Sequence, residues 1–301
     1  FNGVRGLGMG GAQIATVNDE TALLVNPAGL GKLRDMFITV ADPELSLGSD
    51  TQSIIGLNIM TPLKPQEVLD LLKQTKHQAK RLHAAAQIFP SAVFPNFGLG
   101  IYANYIANSE IDVANSFFTY NYRSDISAVF GFNFRLWHGR IKLGFNIRAV
   151  NRNEINRTDL PTSSTGLTIE SLTSEGVGIG SDVGLIFTVP WVWLPTLAVV
   201  YRDVGNTHYT IREGFVNNSN TRPESTEASL DAAFALFPIV GKHTRVTFSG
   251  EYRGVLTASD ELDSMKRVHA GLEINFSDAI FFCVIMNKRY WTDRLEITVD
   301  Y

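Results

Sequence analysis

Cysteine is nearly missing: one residue, Cys283, stands among 301, so no intramolecular disulfide and no cysteine-based metal finger can form. Charge is sparse too. Asp, Glu, Lys and Arg make up 19% of the chain and leave a net charge of -4, which argues against the basic stripe that nucleic acid binding needs. Nothing approaches the roughly 18 consecutive apolar residues of a membrane-spanning helix. The opening residues show no charged region followed by an apolar core, so an exported form is expected to have lost its signal already. The six histidines, at 77, 83, 138, 208, 243 and 269, are dispersed without metal-ligand spacing. No G-x-S-x-G elbow, H-E-x-x-H helix or P-loop occurs. The chain is therefore not expected to be an enzyme, and neither metal nor cofactor is expected.

Small residues dominate the amino end, from Arg5 to Leu30: RGLGMGGAQIATVNDETALLVNPAGL. Glycine permits close backbone approach and positive φ, and Pro27 ends any helix begun near Asn18, so this stretch should be turns and one short helix. Gly6, Gly8 and Gly11 match G-x-G-x-x-G spacing. A dinucleotide loop would need a preceding strand and a following β-α pattern, and neither is present.

From Met36 the pattern has period two. In 126–136, Ile126, Ala128, Phe130, Phe132, Phe134 and Leu136 alternate with Ser127, Val129, Gly131, Asn133 and Arg135. Similar segments occur at 97–107, 139–149, 178–188, 228–236, 244–252, 266–276 and 293–301, with weaker ones at 36–47, 84–94, 194–204 and 278–288. Each is long enough to cross a bilayer as a tilted strand of about 9 to 11 residues. The pattern predicts an all-β chain, a transmembrane antiparallel β-barrel of about 12 strands, with 14 as the upper count. Connections alternate between short ones, near Pro95-Asn96, Trp137-His138, Pro190 to Trp193, Pro238 to Lys242 and Ser277, and long polar ones at 48–83, 108–125, 152–177, 205–225 and 254–265. Short turns face the periplasm in outer-membrane barrels, which places both ends of the chain there. Trp137, Trp191 and Trp193 lie in or beside the short turns, as in an aromatic girdle.

In its order and spacing, Arg5-Gly6-Leu7-Gly8-Met9-Gly10-Gly11-Ala12, then Asp19 and Ala22, then Asn26-Pro27-Ala28-Gly29-Leu30 resembles the amino-terminal hatch of FadL-type outer-membrane channels and their PorV-like relatives. The terminal R-L-E-I-T-V-D-Y resembles the last-strand assembly signal of such barrels. The resemblance implies residues 1–34 as a hatch inside a barrel formed by 35–301, in the outer membrane of a Gram-negative bacterium. It also implies passage of hydrophobic compounds such as long-chain fatty acids, with Arg5, Gly8, Gly10, Gly11, Asn26, Pro27, Ala28 and Gly29 along the hatch path.

Three features add detail. Pro90 interrupts a strand, where it either opens a lateral gap in the wall or marks a strand end near the interface. The loop at 48–83 carries a helical pattern, with Pro65 in the first turn and Val68, Leu69, Leu71, Leu72, Ala79 and Leu82 on one face. It reads either as a lid over the outer mouth or as a helix capping the rim. Inward positions collect Arg135, Arg140, Arg148, Asp182, Asp231, Arg245, Glu251, Glu273, Arg294 and Glu296. These form a cross-strand ladder of ion pairs, or else Arg135, Arg148, Arg245 and Arg294 hold the acidic head of an amphipathic ligand. Expected partners are membrane lipids and a hydrophobic small molecule. The competing reading keeps the barrel without transport, as a structural or partner-binding component or a homo-oligomer enclosing lipid.

Overall fold

The computed structural model describes residues 3–48, 50–52, 63–74, 81–112, 116–210, 221–240, 244–256, 267–276, 280–286 and 297–300. Alternating segments rich in β-branched and aromatic residues form strands. In chain order these are β1 (Phe37–Thr39), β2 (Glu44–Leu47), β3 (Arg81–Ile88), β4 (Ser91–Phe94), β5 (Phe97–Asp112), β6 (Phe117–Leu136), β7 (Ile141–Pro161) and β8 (Ser174–Thr188). They continue as β9 (Thr196–Arg202), β10 (Tyr209–Thr210), β11 (Ser229–Leu236), β12 (Ile239–Val240), β13 (Thr244–Tyr252), β14 (Val268–Phe276), β15 (Ile280–Met286) and β16 (Ile297–Asp300).

All sixteen belong to one antiparallel sheet, whose main path is β1-β4-β5-β6-β7-β8-β9-β11-β13-β14-β15-β16. β3 and β4 share a single register along β5, as do β11 and β12 along β13, so each pair acts as one interrupted strand. Among the described residues no ladder joins β1 or β2 to β16. Tight turns need left-handed backbone, and Asn96 (φ 72°) joins β4 to β5 while Trp137, His138 and Gly139 (φ 49°, 56° and 80°) join β6 to β7.

The two faces of the sheet differ. On β6, Ser127, Val129, Gly131 and Asn133 are buried, while Ile126, Phe130 and Phe134 are exposed. The buried side, here the inner face, carries the amino-terminal segment. That segment folds as short helices over Gly3–Gly8 and Ala22–Val25 and a 3-10 helix over Pro27–Lys32. Pro27 needs no backbone donor at a first helical position, and the Asn26 side chain accepts from the Ala28 N–H at 3.0 Å. Gly10 and Gly11 turn the chain at φ 62° and 84°. Met9, Ala12, Leu23 and Leu30 have no exposed surface, and the segment shares a core with Phe89, Val93, Val129, Ile186 and Val200 of the inner face.

The sheet curves about this segment. Leu23 lies against Gly98 of β5, yet the next carbonyl, that of Leu24, accepts from Arg202 of β9 at 3.1 Å. Four strand spacings separate β5 from β9, roughly 19 Å in a flat sheet.

Three expectations are corrected. Residues 108–112 and 117–125 are strand rather than loop, and so are the ends of the expected 152–177 loop, because β5 to β8 run far past the alternating apolar positions. Their inner positions are polar there (Asn121, Arg123, Asp125, Arg152, Glu154), which makes the sequence read as a loop. The helix of the first long loop spans Pro65–Gln74, and Leu82 stands in β3 instead of on it. Ala79 lies outside the described residues. The helix also does not present its apolar side to the inner face. Val68, Leu69 and Leu72 pack with Leu82, Ile111, Phe118, Tyr120 and Ile155. Those strand residues continue the outer-facing rows of Leu99 and Ile101 on β5 and Ile126 and Phe130 on β6. The helix therefore flanks the outer side of the extended strands.

Candidate functional site

The amino-terminal segment meets the wall where the wall has no side chains. A β-carbon added at Gly144 would overlap the Pro27–Ala28 peptide, one at Gly184 would overlap the Asn26 side chain, and one at Gly271 would overlap the Met9 carbonyl. At Gly131 it would stand 2.6 Å from Leu23 and 3.2 Å from Leu30. Glycine on alternate inner positions thus lets backbone lie on backbone.

Between these glycines, inner-face polar groups bind the segment's main chain. Arg202 pairs with Asp231 at 2.8 Å and donates to the Leu24 and Val25 carbonyls, both at 3.1 Å. Asn146 donates to the Leu23 carbonyl at 2.8 Å. Glu251 accepts from the Gln13 and Ile14 N–H groups at 3.1 and 3.2 Å and pairs with Arg253, which donates to the Gly11 carbonyl at 2.7 Å. His269 lies 2.9 Å from the Gly10 carbonyl, and Arg5 bridges Glu273 through two contacts of 2.7 and 3.2 Å. The bonds made by Arg202, Glu251, Arg253 and Arg5 are charge-assisted, the stronger kind.

A second polar cluster lies above them. Arg152 grips Asp125 at 2.7 and 3.0 Å, donates to Thr226 at 2.9 Å and faces the Tyr209 ring at 4.5 Å. Arg148 bridges Asp182 and Asp203 at 3.0 and 2.9 Å, and Thr207 donates to Asp203 at 2.7 Å. Both contacts pass over Gly176, Gly178 and Gly180, the glycine face of β8; β-carbons there would meet Tyr209, Pro223, His208 and Thr207 at 2.7 to 3.0 Å. Thr207, His208, Tyr209 and Pro223 are therefore drawn against the glycines of β8. Farther out, Glu154, Arg157, Glu170, Arg222 and Glu224 line a polar cleft of about 360 Å³.

At Pro90 the two edges behave differently. Toward β5 the register holds, and the Ile101 N–H donates to the Pro90 carbonyl at 2.9 Å. On the other edge, residues 40–43 lie between the β1–β4 and β2–β3 ladders and belong to neither. Phe89 is buried on the inner side, edge-on to Tyr102 at 6.2 Å, whereas Ile38 and Val40 are exposed.

Most of the residues expected in the hatch path are brought together. Asn26, Pro27 and Ala28 form the contact with Gly144 and Gly184, Gly29 packs against Val17 and Ala22 within the segment, Gly10 and Gly11 carry the carbonyls held by His269 and Arg253, and Arg5 pairs with Glu273 of β14. Gly8 only ends the first helix, half-buried. Of the four arginines, Arg148 belongs to the ion-pair network, Arg135 donates to the Leu33 carbonyl at 2.9 Å, and Arg245 is exposed at the start of β13. Arg294 lies outside the described residues, as does Glu296. Arg140 rests on the Trp137 ring at 5.2 Å, at the turn. Sequence reading missed Arg202, Arg253, Arg152, Asn146, His269 and the wall glycines. The available signal was glycine recurring at inner positions of neighbouring strands.

Lys32 adds an electrostatic feature. Burial and then the nearby Lys142 charge pull its ammonium down to about 7, while its Nζ donates to the Ala15 carbonyl at 2.5 Å.

No family model, no curated protein and no solved structure matches this chain.

Proposed function

We propose that the protein is an outer-membrane β-barrel of a Gram-negative bacterium, closed through its first and last strands, with the amino-terminal segment as a hatch and both termini periplasmic. Its outer face supports a bilayer setting. Leu99, Ile101, Ile126, Phe130, Phe134, Ile147, Ile179, Leu197, Phe234 and Phe248 are all exposed on neighbouring strands. Positions 126 to 136 cover roughly 34 Å along β6 and, at a tilt of about 40°, roughly 26 Å of depth, close to the apolar band of such barrels. Trp137, Trp191 and Trp193 stand exposed at the turns at one end.

Within that setting the protein acts as a passive channel for apolar compounds such as long-chain fatty acids. The observation that carries this reading is the ladder interruption opposite Pro90. By register it lies at the depth of Ile101 and Ala128, inside the apolar band, with Phe89 between it and the hatch core. Unpaired backbone is tolerated at that depth only beside protein or a passage. A ligand would leave sideways there. The test is uptake of a fluorescent fatty acid by cells carrying Pro90→Val, which returns a donor facing Ile101 of β5 and lets the strand run straight past the interruption. Reduced uptake with normal assembly supports the passage, and unchanged uptake removes it.

A second reading, a non-transporting structural barrel, is favoured by the many bonds between wall and hatch, which suit a fixed plug. Mass spectrometry of the detergent-purified protein separates the two. About one small apolar molecule per chain supports the channel. Many phospholipids on a defined oligomer support the structural component.

A further inference from the structure

Near the tight turn between β6 and β7 the inner face holds an unusual excess of positive charge. Arg135 and Lys142 are direct cross-strand partners, an arrangement that repels. The hatch adds Lys32 beside them: its neighbour Gly31 lies against the Lys142 chain, and its other neighbour, Leu33, offers its carbonyl to Arg135. Among the described residues each cation's hydrogen bond goes to a carbonyl, Arg135 to that of Leu33 at 2.9 Å, Lys142 to that of Gly139 at 2.6 Å and Lys32 to that of Ala15 at 2.5 Å, and the Lys32 ammonium also lies 5.8 Å from the centre of the Phe237 ring. Among the described residues no carboxylate lies within 4.0 Å of any of the three. Elsewhere on this face the arginines Arg5, Arg148, Arg152, Arg202 and Arg253 all pair with carboxylates. Lys142 is only 9% exposed, so its charge is largely removed from water without a counter-ion from the chain. Asp19 is the nearby hatch carboxylate, and it is engaged by the Thr21 N–H and hydroxyl at 3.0 and 2.5 Å.

We infer that Lys32, Lys142 and Arg135 form an oxyanion site joining the hatch to the wall, and that it takes a phosphate group, free or carried by a lipid. Two ammonium groups and one guanidinium match a doubly charged tetrahedral anion better than a single carboxylate. The site uses one cation from the hatch and two from adjacent strands, so an occupied site ties the Pro27–Lys32 turn to β6 and β7. It does not depend on transport, because it rests on charge and register alone.

The test is calorimetric titration of the detergent-purified full chain at fixed ionic strength. One arm uses inorganic phosphate and the other uses dispersed dioctanoyl phosphatidic acid. One site per chain is expected, weakened at least tenfold in Arg135→Gln, whose exposed side chain can be changed without opening the core, and likewise in Lys32→Met. Binding of inorganic phosphate assigns a free anion, and binding of the lipid alone assigns a head group. No saturable binding of either probe, or binding unchanged in both variants, overturns the inference. Because the readout is binding, a failure here leaves the uptake result with Pro90→Val standing on its own.

Discussion

The ring of Tyr209 lies 4.5 Å from the Arg152 guanidinium, although β8 runs between the strands that carry them. Side chains two strands apart are roughly 10 Å from each other at the backbone, and the row between them normally fills that gap. Here that row is Gly176, Gly178 and Gly180, so the ring and the cation meet across an empty lane. A desolvated cation–π contact and the Arg152 bonds to Asp125 and Thr226 then hold Tyr209 and Thr226, from the connection after β9, toward the inner face. If the sheet is a closed barrel, that connection narrows its outer half.

Gly178→Val fills the lane and should push the connection out. The expected outcome is stepwise ion conductance in planar bilayers, where the parent protein stays closed. Arg152→Gln should act in the same direction by releasing Thr226 and Tyr209. A parent protein that already conducts, with both variants unchanged, would show that this connection does not narrow the lumen.

Gly144→Ala should block assembly. Its β-carbon would overlap the Pro27–Ala28 peptide, and neither a strand nor a bonded turn yields as a flexible side chain would. Gly250→Ala is the control, since nothing lies within 4 Å of the carbon it adds. In the proposed outer-membrane barrel, heat-modifiable mobility and the outer-membrane fraction should fall sharply for the first and stay within error for the second. Equal behaviour would mean that the hatch does not dock against β7 during assembly.

These glycines also mark what the sequence could and could not reveal. The alternation in 126–136 exposed the outer face at once, because an apolar row needs no partner to be recognised. The Arg5 to Leu30 stretch was legible as turns with a short helix, since Gly10 and Gly11 permit positive φ and Pro27 ends a helix, although the helical turn over Gly3–Gly8 was not foreseen. Glycine on an inner row carries no hydropathy signal, so Gly144 and Gly184 were traceable only through the recurrence of glycine at inner positions, and their contacts with Pro27 and Asn26 were not traceable at all. The extensions of β5 to β8 read as loops because their inner positions, among them Asn121, Arg123, Asp125, Arg152 and Glu154, are polar. Arg202 fell at the expected end of a weak strand, where nothing linked it to Leu24 and Val25.

Arg202→Met tests how much the tether to those carbonyls contributes. It leaves Asp231, 4% exposed, with the Gly254 N–H as its remaining donor. Breaking a buried pair on one side costs about 3–5 kcal/mol, whereas replacing both partners costs much less. The urea midpoint should therefore fall clearly in Arg202→Met and recover in part in Arg202→Met with Asp231→Leu. If the double variant is less stable than the single one, Asp231 holds the hatch independently of Arg202.

Lys32 should make stability depend on pH in a defined direction. Its ammonium titrates at about 7 in the folded protein and near 10.5 in an exposed chain. Below pH 7 both forms carry the proton and the folded state bears the full cost of the buried charge. Between about 7 and 10.5 the unfolded chain binds more protons than the folded one, so stability rises with pH across this window. Above 10.5 both forms are neutral and the cost is gone. Lys32→Met removes the ionisable group, so it should stabilise the protein most near pH 6, and this advantage should shrink as pH approaches 10.5. Unfolding midpoints of both proteins, measured in phosphate-free buffer at constant ionic strength, give the comparison. A constant difference across the range would mean that the Lys32 amine keeps its ordinary affinity for protons despite the amino-terminal segment around it.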